Sequence, residues 1–252
     1  MKKIFFCLTI PFLLMMSGCA VLQQVASSAQ QNGIGGTSST DALGLKEALR
    51  VGVSNGVSTL GNNGFMTDAA LRILLPPEAQ PIVDNLKLIP GGQNLMNDVV
   101  QRLNSAASDA VVEAKPIFVN AITGMTISDA TGILFGANDA ATNYLKKSTS
   151  TQLLAAFAPK VNASLDKKLI GNLSTNDSWR ALTSAFNTVA NSVVGKVANL
   201  KPVESDLGSY VTQRALDGLF AKVAAEEKQI RTNPAARVND LLKNVFGQLD
   251  KK

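Results

Sequence analysis

"QNLMNDVVQRLNSAASDAVVEAKP", residues 93–116, carries the periodicity that decides the fold class. Leu95, Val99, Leu103, Ala106, Ala110, Ala114 and, just beyond, Ile117 recur at steps of three and four. Met96, Val100, Ala107 and Val111 lie beside them, and Asn97, Asn104, Ser108 and Lys115 fall opposite. That pattern predicts an amphipathic helix with one face in a core. The alanines of its second half leave room for another helix to approach closely. Pro116, with no N–H to give, bends or ends the run.

The same period extends outward from this stretch. Trp179, Leu182, Phe186, Val189, Val193 and Val197 form one apolar stripe behind the capping candidate Asp177. A long helix is predicted from Asp206 to Arg231. A last one follows, capped by Asn233 with Pro234 in its first position, and carries Val238, Leu241, Leu242, Val245 and Phe246 before Gly247. Weaker helical patterns cover 41–60, 78–89, 128–135, 138–147 and 150–169, the last interrupted by Pro159. No segment alternates long enough for a solvated strand, "RILLP" at 72–76 coming nearest, and no internal repeat is present. The expected fold is therefore all-α: one bundle-like domain of about eight helices over 41–252, without a substantial sheet.

Ahead of that domain stand Lys2, Lys3 and an apolar run from Ile4 to Met16. Thirteen residues make a helix of roughly 20 Å, too short for a hydrocarbon core, so residues 1–18 read as a secretion signal. Met16-Ser17-Gly18-Cys19 resembles the bacterial lipobox, which implies a diacylglyceryl group on Cys19, cleavage before it and acylation of the new amine. Several buried acyl chains hold stably where one is marginal. Ala20, where Asp would mark retention at an inner membrane, puts the expected site on the periplasmic face of an outer membrane. The outer leaflet of an inner membrane is the alternative. Residues 19–40 are polar and rich in Gly and Ser, which predicts a flexible tether reaching about 25 Å.

Composition excludes more than it indicates. The chain has no histidine, and its two cysteines are Cys7, within the signal, and Cys19. Ser-His-Asp and Cys-His nucleophiles, the usual zinc sites and histidine-ligated haem are thereby ruled out within the chain. No cofactor or metal is expected. Removing Lys2 and Lys3 from 24 basic residues leaves 22 against 19 acidic, a net +3. Without a basic run interleaved with aromatics, nucleic acid is not a partner.

Among the charged residues, Glu226 points into the apolar arc of its own helix, between Ala215 and Leu219 on one side and Ile230 on the other. A buried carboxylate there needs a partner. An ion pair with Lys222 or a cap on a neighbouring helix supplies one structurally, and a functional acid is the other reading. Glu227 and Arg231 stand four apart in the order that suits a solvated pair, while Arg231, near a helix break, can also take an anion. "SDATGILFGANDAATNYL" holds Asp129, Asp139, Thr142 and Tyr144 around two helix starts, where capping is the default role. The functional alternative brings Asp129, Thr142 and Tyr144 together with Glu226 or Arg231. "GVSNGVSTLGNNG" (52–64) lacks the Lys-Ser/Thr ending of a phosphate loop.

The chain resembles a bacterial family known as domain of unknown function 4197. The residues that carry the resemblance are Gly44-Leu45-Lys46-Glu47-Ala48-Leu49, Asn63-Gly64-Phe65 and Leu74-Leu75-Pro76. It continues through "LNSAASDAVVEAKP" (103–116), "SDATGILFGANDAATNYLKKSTSTQL" (128–153), "YVTQRALDGLFAKVAAEEKQIRTNP" (210–234) and "LLKNVFG" (241–247). The resemblance implies an exported, helical, envelope-associated protein and no particular activity. Two functions compete on these grounds. The first is a binding or assembly module for an envelope protein or an apolar, lipid-like ligand. The second is a hydrolase of envelope material working through Glu226 and Asp129.

Overall fold

The computed structural model describes residues 35–87, 90–170 and 173–251. Cys19, the expected signal and residues 19–34 of the expected tether lie outside the described residues, and 35–40, expected in the tether, are helical. Ten helices follow in order: α1 (Gly35–Thr59), α2 (Gln80–Lys87), α3 (Gly92–Val111), α4 (Ala114–Thr123), α5 (Ile127–Leu134), α6 (Ala140–Leu165), α7 (Thr175–Ala190), α8 (Val193–Val197), α9 (Leu207–Thr232) and α10 (Asp240–Phe246). Short helical turns complete the list. The only strands among the described residues are β1 (Lys168–Ile170) and β2 (Leu173–Ser174), a minimal antiparallel ribbon. The fold is all-α.

Helix α9 runs through the middle of the domain against α6, α3 and α1, and α1 in turn packs on α4, α5 and α10. Phe65, Phe118, Phe157 and Phe246 are fully enclosed, and Phe118 meets Phe220 edge-on at 5.9 Å. Among the described residues no single helix is long and apolar enough to cross a membrane.

Several helix boundaries differ from the periodicity, each for a local reason. Helix α3 stops at Val111, and Pro116 sits in the first turn of α4, where its missing N–H has no carbonyl to lose. The two helices expected at 138–147 and 150–169 are one, α6. Its Pro159 lies on the exposed side, and the hydroxyls of Ser148 and Thr149 donate back to the carbonyls of Tyr144 and Leu145 at 2.7 Å, satisfying them within the helix. Asn233 caps only the single turn Pro234–Ala236; α10 begins at Asp240 behind Asn239 and leaves Val238 exposed.

The polar edge expected of α3 is also partly inside. Asn104 and Ser108 are buried. Ser108 Oγ donates to the Leu60 carbonyl at 2.8 Å, where α1 ends in a wide π turn, Leu60–Gly64. That turn needs glycine at 64, because a Cβ there would sit 2.4 Å from the Thr59 carbonyl oxygen.

The caps set the pH response. Thr126 with Asp129, and Ser174 with Asp177, form reciprocal capping boxes on α5 and α7, and Asp206 caps α9. Hydrogen bonds from Thr126, Ser174 and Ser209 hold the three carboxyls below the usual range, as the Arg237 guanidinium does for Asp250. Burial raises the phenols of Tyr144 and Tyr210. A depressed carboxyl contributes stability present above its unfolded value and lost as pH falls through the folded one; a raised phenol contributes stability lost as pH rises past about 10. No histidine titrates between. The thermal midpoint is therefore expected to stay level from roughly pH 6 to 9 and to fall below about pH 4. A step near neutrality would contradict this.

Candidate functional site

Two places concentrate polar chemistry. The first is a buried clamp in which α9 grips the corner between α5 and α6. Glu227, not Glu226, is the residue on the inner face of α9. Its carboxylate accepts from the Ala141 and Thr142 amides at 3.0 and 2.8 Å, and from Thr142 Oγ1 at 2.8 Å. It thus caps α6, whose own N-cap residue, Asp139, makes no side-chain capping bond. Arg231 donates from Nε to Glu227 at 2.9 Å, and its two terminal nitrogens donate to the Leu134 and Ile133 carbonyls at 2.9 and 2.8 Å. One residue pair therefore neutralises the positive end of α6 and the negative end of α5.

The expectation of a solvated Glu227–Arg231 pair is thereby corrected: both side chains are about 95% enclosed. The cavity beside them, roofed by Leu49, Val53 and Phe246, is about 20 Å³, room for one water. Nothing larger reaches these charges. The clamp holds the fold together.

Glu226 lies one position around the helix, half-buried, paired with Lys222 at 3.2 Å. It sits over Gly52 at the crossing of α1 and α9, where a Cβ on Gly52 would be 3.5 Å from its own. Asp129 is taken up by its capping box, and Tyr144 shares its surroundings through the carboxylate's charge. Of the predicted residues, Thr142 and Arg231 meet, through Glu227; Glu226 and Asp129 are each engaged with another partner.

The second place is a groove of about 710 Å³ between the segment 70–77, helices α2 and α3, and α9. The "RILLP" segment builds its wall. It is no strand, because no other strand pairs with it; instead the Asn104 side chain takes the place of a neighbouring strand. Asn104 Oδ1 accepts from the Ile73 N–H at 2.8 Å, and Nδ2 donates to the Ile73 carbonyl at 2.8 Å and to Val100 O at 2.7 Å. The Tyr210 hydroxyl donates to the Leu74 carbonyl at 3.0 Å, tying the wall to α9. Ile73, Leu75, Val83, Met96 and Val100 supply apolar surface. At the rim, Arg214 stacks over the Tyr210 ring at 5.5 Å and lies 3.7 Å from Asp217, and Arg72 Nε donates to Met66 O at 3.0 Å. Both arginines are exposed. Asp217 is the one carboxylate among the lining residues, beside Arg214; the groove offers an apolar floor with two arginines in its walls.

The model of the family described as protein of unknown function (DUF4197) matches residues 36–247. The chain belongs to that family. No curated protein and no solved structure matches it. Clamp and groove both lie inside the stretch shared with the DUF4197 family model. Arg72, Tyr210 and Arg214 escaped the sequence reading. Their signal was weak: an apolar, proline-ended run without helical period, which a fold must hold by side chains when no strand is at hand.

Proposed function

We propose that this DUF4197 member is a lipid-anchored envelope protein, held through acylated Cys19 on the periplasmic face of an outer membrane, whose domain binds an elongated apolar ligand with an anionic end. The observation that carries the reading is the groove. Its volume, about 710 Å³, falls within the range of small-molecule sites, and its largely apolar lining includes two arginines, Arg72 on the 70–77 wall and Arg214 on α9. An acyl chain fits the floor of Ile73, Leu75, Val83 and Met96. A carboxylate or phosphate fits Arg72 and Arg214, whose planar guanidinium groups pair with such anions.

The test begins with the full chain purified from membranes. Native mass spectrometry followed by solvent extraction is expected to release an anionic amphiphile. The double substitution Arg72→Ala/Arg214→Ala is expected to weaken oleate and lysophosphatidic acid binding by roughly 10–100-fold, the worth of one to two charge-assisted hydrogen bonds. Neither arginine supports the core, so the fold should persist. A ligand-free protein whose affinity for both probes is low and indifferent to these arginines would sink the groove as a site. Separately, the N-terminal peptide should carry three acyl chains on Cys19; an unmodified cysteine would remove the anchor.

A further inference from the structure

The three most exposed large apolar side chains among the described residues are Val197 (83%), Val193 (79%) and Val194 (74%), all on the five-residue helix α8. Val189, at the end of α7, adds to the same patch. The sequence stripe Trp179–Leu182–Phe186–Val189–Val193–Val197 reads as one buried face, yet Trp179 is buried, Phe186 packs partly on the core, and the valines are exposed. The chain turns at Asn191–Ser192, and the valines are carried outward.

This knob is firmly built. Ser192 caps α8 by accepting from the Gly195 N–H at 3.2 Å. At its far end Asn199 takes a left-handed conformation, and the Asn199 and Leu200 amides bond to the Lys196 and Gly195 carbonyls, a Schellman closure. Gly195 lies against α7 so closely that a Cβ would fall 2.2 Å from the Val189 carbonyl oxygen. Below, the Asn187 amide bonds Val203 through both its N–H and its carbonyl, at 2.7 and 2.9 Å. The base is pinned as well by Trp179 Nε1 donating to Glu204 O at 2.9 Å. Fixed structure that points valines at solvent has no use in packing.

Charge tells what covers it. Between Asp177 and Glu204 the chain has no acidic residue and three basic ones: Arg180, which faces Asp177 and Asp206, and Lys196 and Lys201, with Lys196 set among the valines themselves. We infer that α8 is a membrane-contact knob: the valines enter the headgroup boundary of an anionic bilayer, and Lys196 and Lys201 lie against its lipid phosphates. Apolar area combined with cationic side chains is the composition of interfacial binding. The inference rests on the lipid anchor proposed above, which keeps a bilayer beside the domain. Contact through the knob would fix the domain's orientation on the membrane.

The experiment uses the acylated chain reconstituted in vesicles of phosphatidylglycerol and phosphatidylethanolamine. With Cys19 acylated, Val197→Cys introduces the one reactive thiol of the mature chain, which takes a small environment-sensitive fluorophore. Lipids spin-labelled near the headgroup are expected to quench it roughly threefold more than the same label at Val112→Cys, an exposed site on the α3–α4 turn. High salt should reduce the difference. Equal quenching at both sites overturns the knob. So does emission that shifts with protein concentration but not with lipid, which assigns α8 to a second copy of the chain. Failure of the protein to float with vesicles would instead remove the anchor; the unanchored chain carrying Cys19→Ser, mixed with the same vesicles, then gives the same quenching comparison.

Discussion

Arg231→Met is expected to lower the unfolding free energy by about 3–5 kcal/mol, far more than deletion of a surface charge costs, because this charge is buried and paired. The side chain is 3% exposed and Glu227 5%. Removing the guanidinium leaves the carboxylate with three uncharged donors, from Ala141 and Thr142, and no counter-charge. It also leaves the Leu134 carbonyl at the end of α5 without its donor, costing about 1–3 kcal/mol of desolvation, while the Ile133 carbonyl keeps the Gly136 N–H. For a domain of this size the midpoint of thermal unfolding should fall by roughly 10 °C or more. The contrasting variant is Glu226→Gln, expected within about 0.5 kcal/mol of the parent, since its partner Lys222 is partly solvated. The double substitution Glu227→Gln/Arg231→Met should cost less than the two singles added, as groups in one network do. Chemical denaturation of the parent, the three single variants (Arg231→Met, Glu226→Gln and Glu227→Gln) and the double checks all three statements. Equal losses from Glu226→Gln and Arg231→Met would show that the clamp is not what joins α9 to the α5–α6 corner.

That one-residue difference between two adjacent glutamates shows how far the sequence could be read. The 3.6-residue period places a face to within about one residue, and neighbours differ by 100° in direction. Glu226 and Glu227 straddle the edge of the apolar arc, so local pattern cannot choose between them. The choice is made by groups 85 to 98 residues away: two amides at the start of α6 and two carbonyls at the end of α5. What local chemistry does determine was legible. Asp206 begins α9 as expected, Asp129 serves in a cap, and the alanines expected inside are enclosed, 106, 107 and 110 on α3 and 114 at the start of α4. Asn104 and Ser108 lie opposite the apolar stripe, where the helical period predicts solvent. They are inside because non-helical backbone needed partners there, at Ile73 and at Leu60. Two polar residues four apart within an alanine-rich half-helix are the trace this requirement leaves. The groove has almost no trace, since it is made by a segment with no period of its own.

Asn104→Leu tests the link between fold and groove directly. The side chain is fully buried, and its amide satisfies both the N–H and the carbonyl of Ile73. Leucine has nearly the same length but offers neither donor nor acceptor, so two backbone groups would be left dry and unpaired. At about 1–3 kcal/mol for each, the expected loss is roughly 2–5 kcal/mol if the wall stays in place. A second course is open to the chain: residues 72–76 can swing out to water, which limits the loss of stability but dismantles one side of the groove. Tyr210 would then lose the Leu74 carbonyl to which it donates. Either course is measurable. Amide hydrogen exchange at Ile73 and Leu74 should speed up by at least tenfold, equivalent to about 1.4 kcal/mol of local opening, while α6 and α9 keep their protection. Affinity for oleate should fall with it, although Asn104 itself is 0% exposed and beyond reach of any ligand. Unchanged exchange at Ile73 would mean that the wall is held by its leucines and prolines alone, and the asparagine would then be a passenger. Faster exchange with undiminished oleate binding would separate the wall from the ligand and move the site elsewhere on the domain.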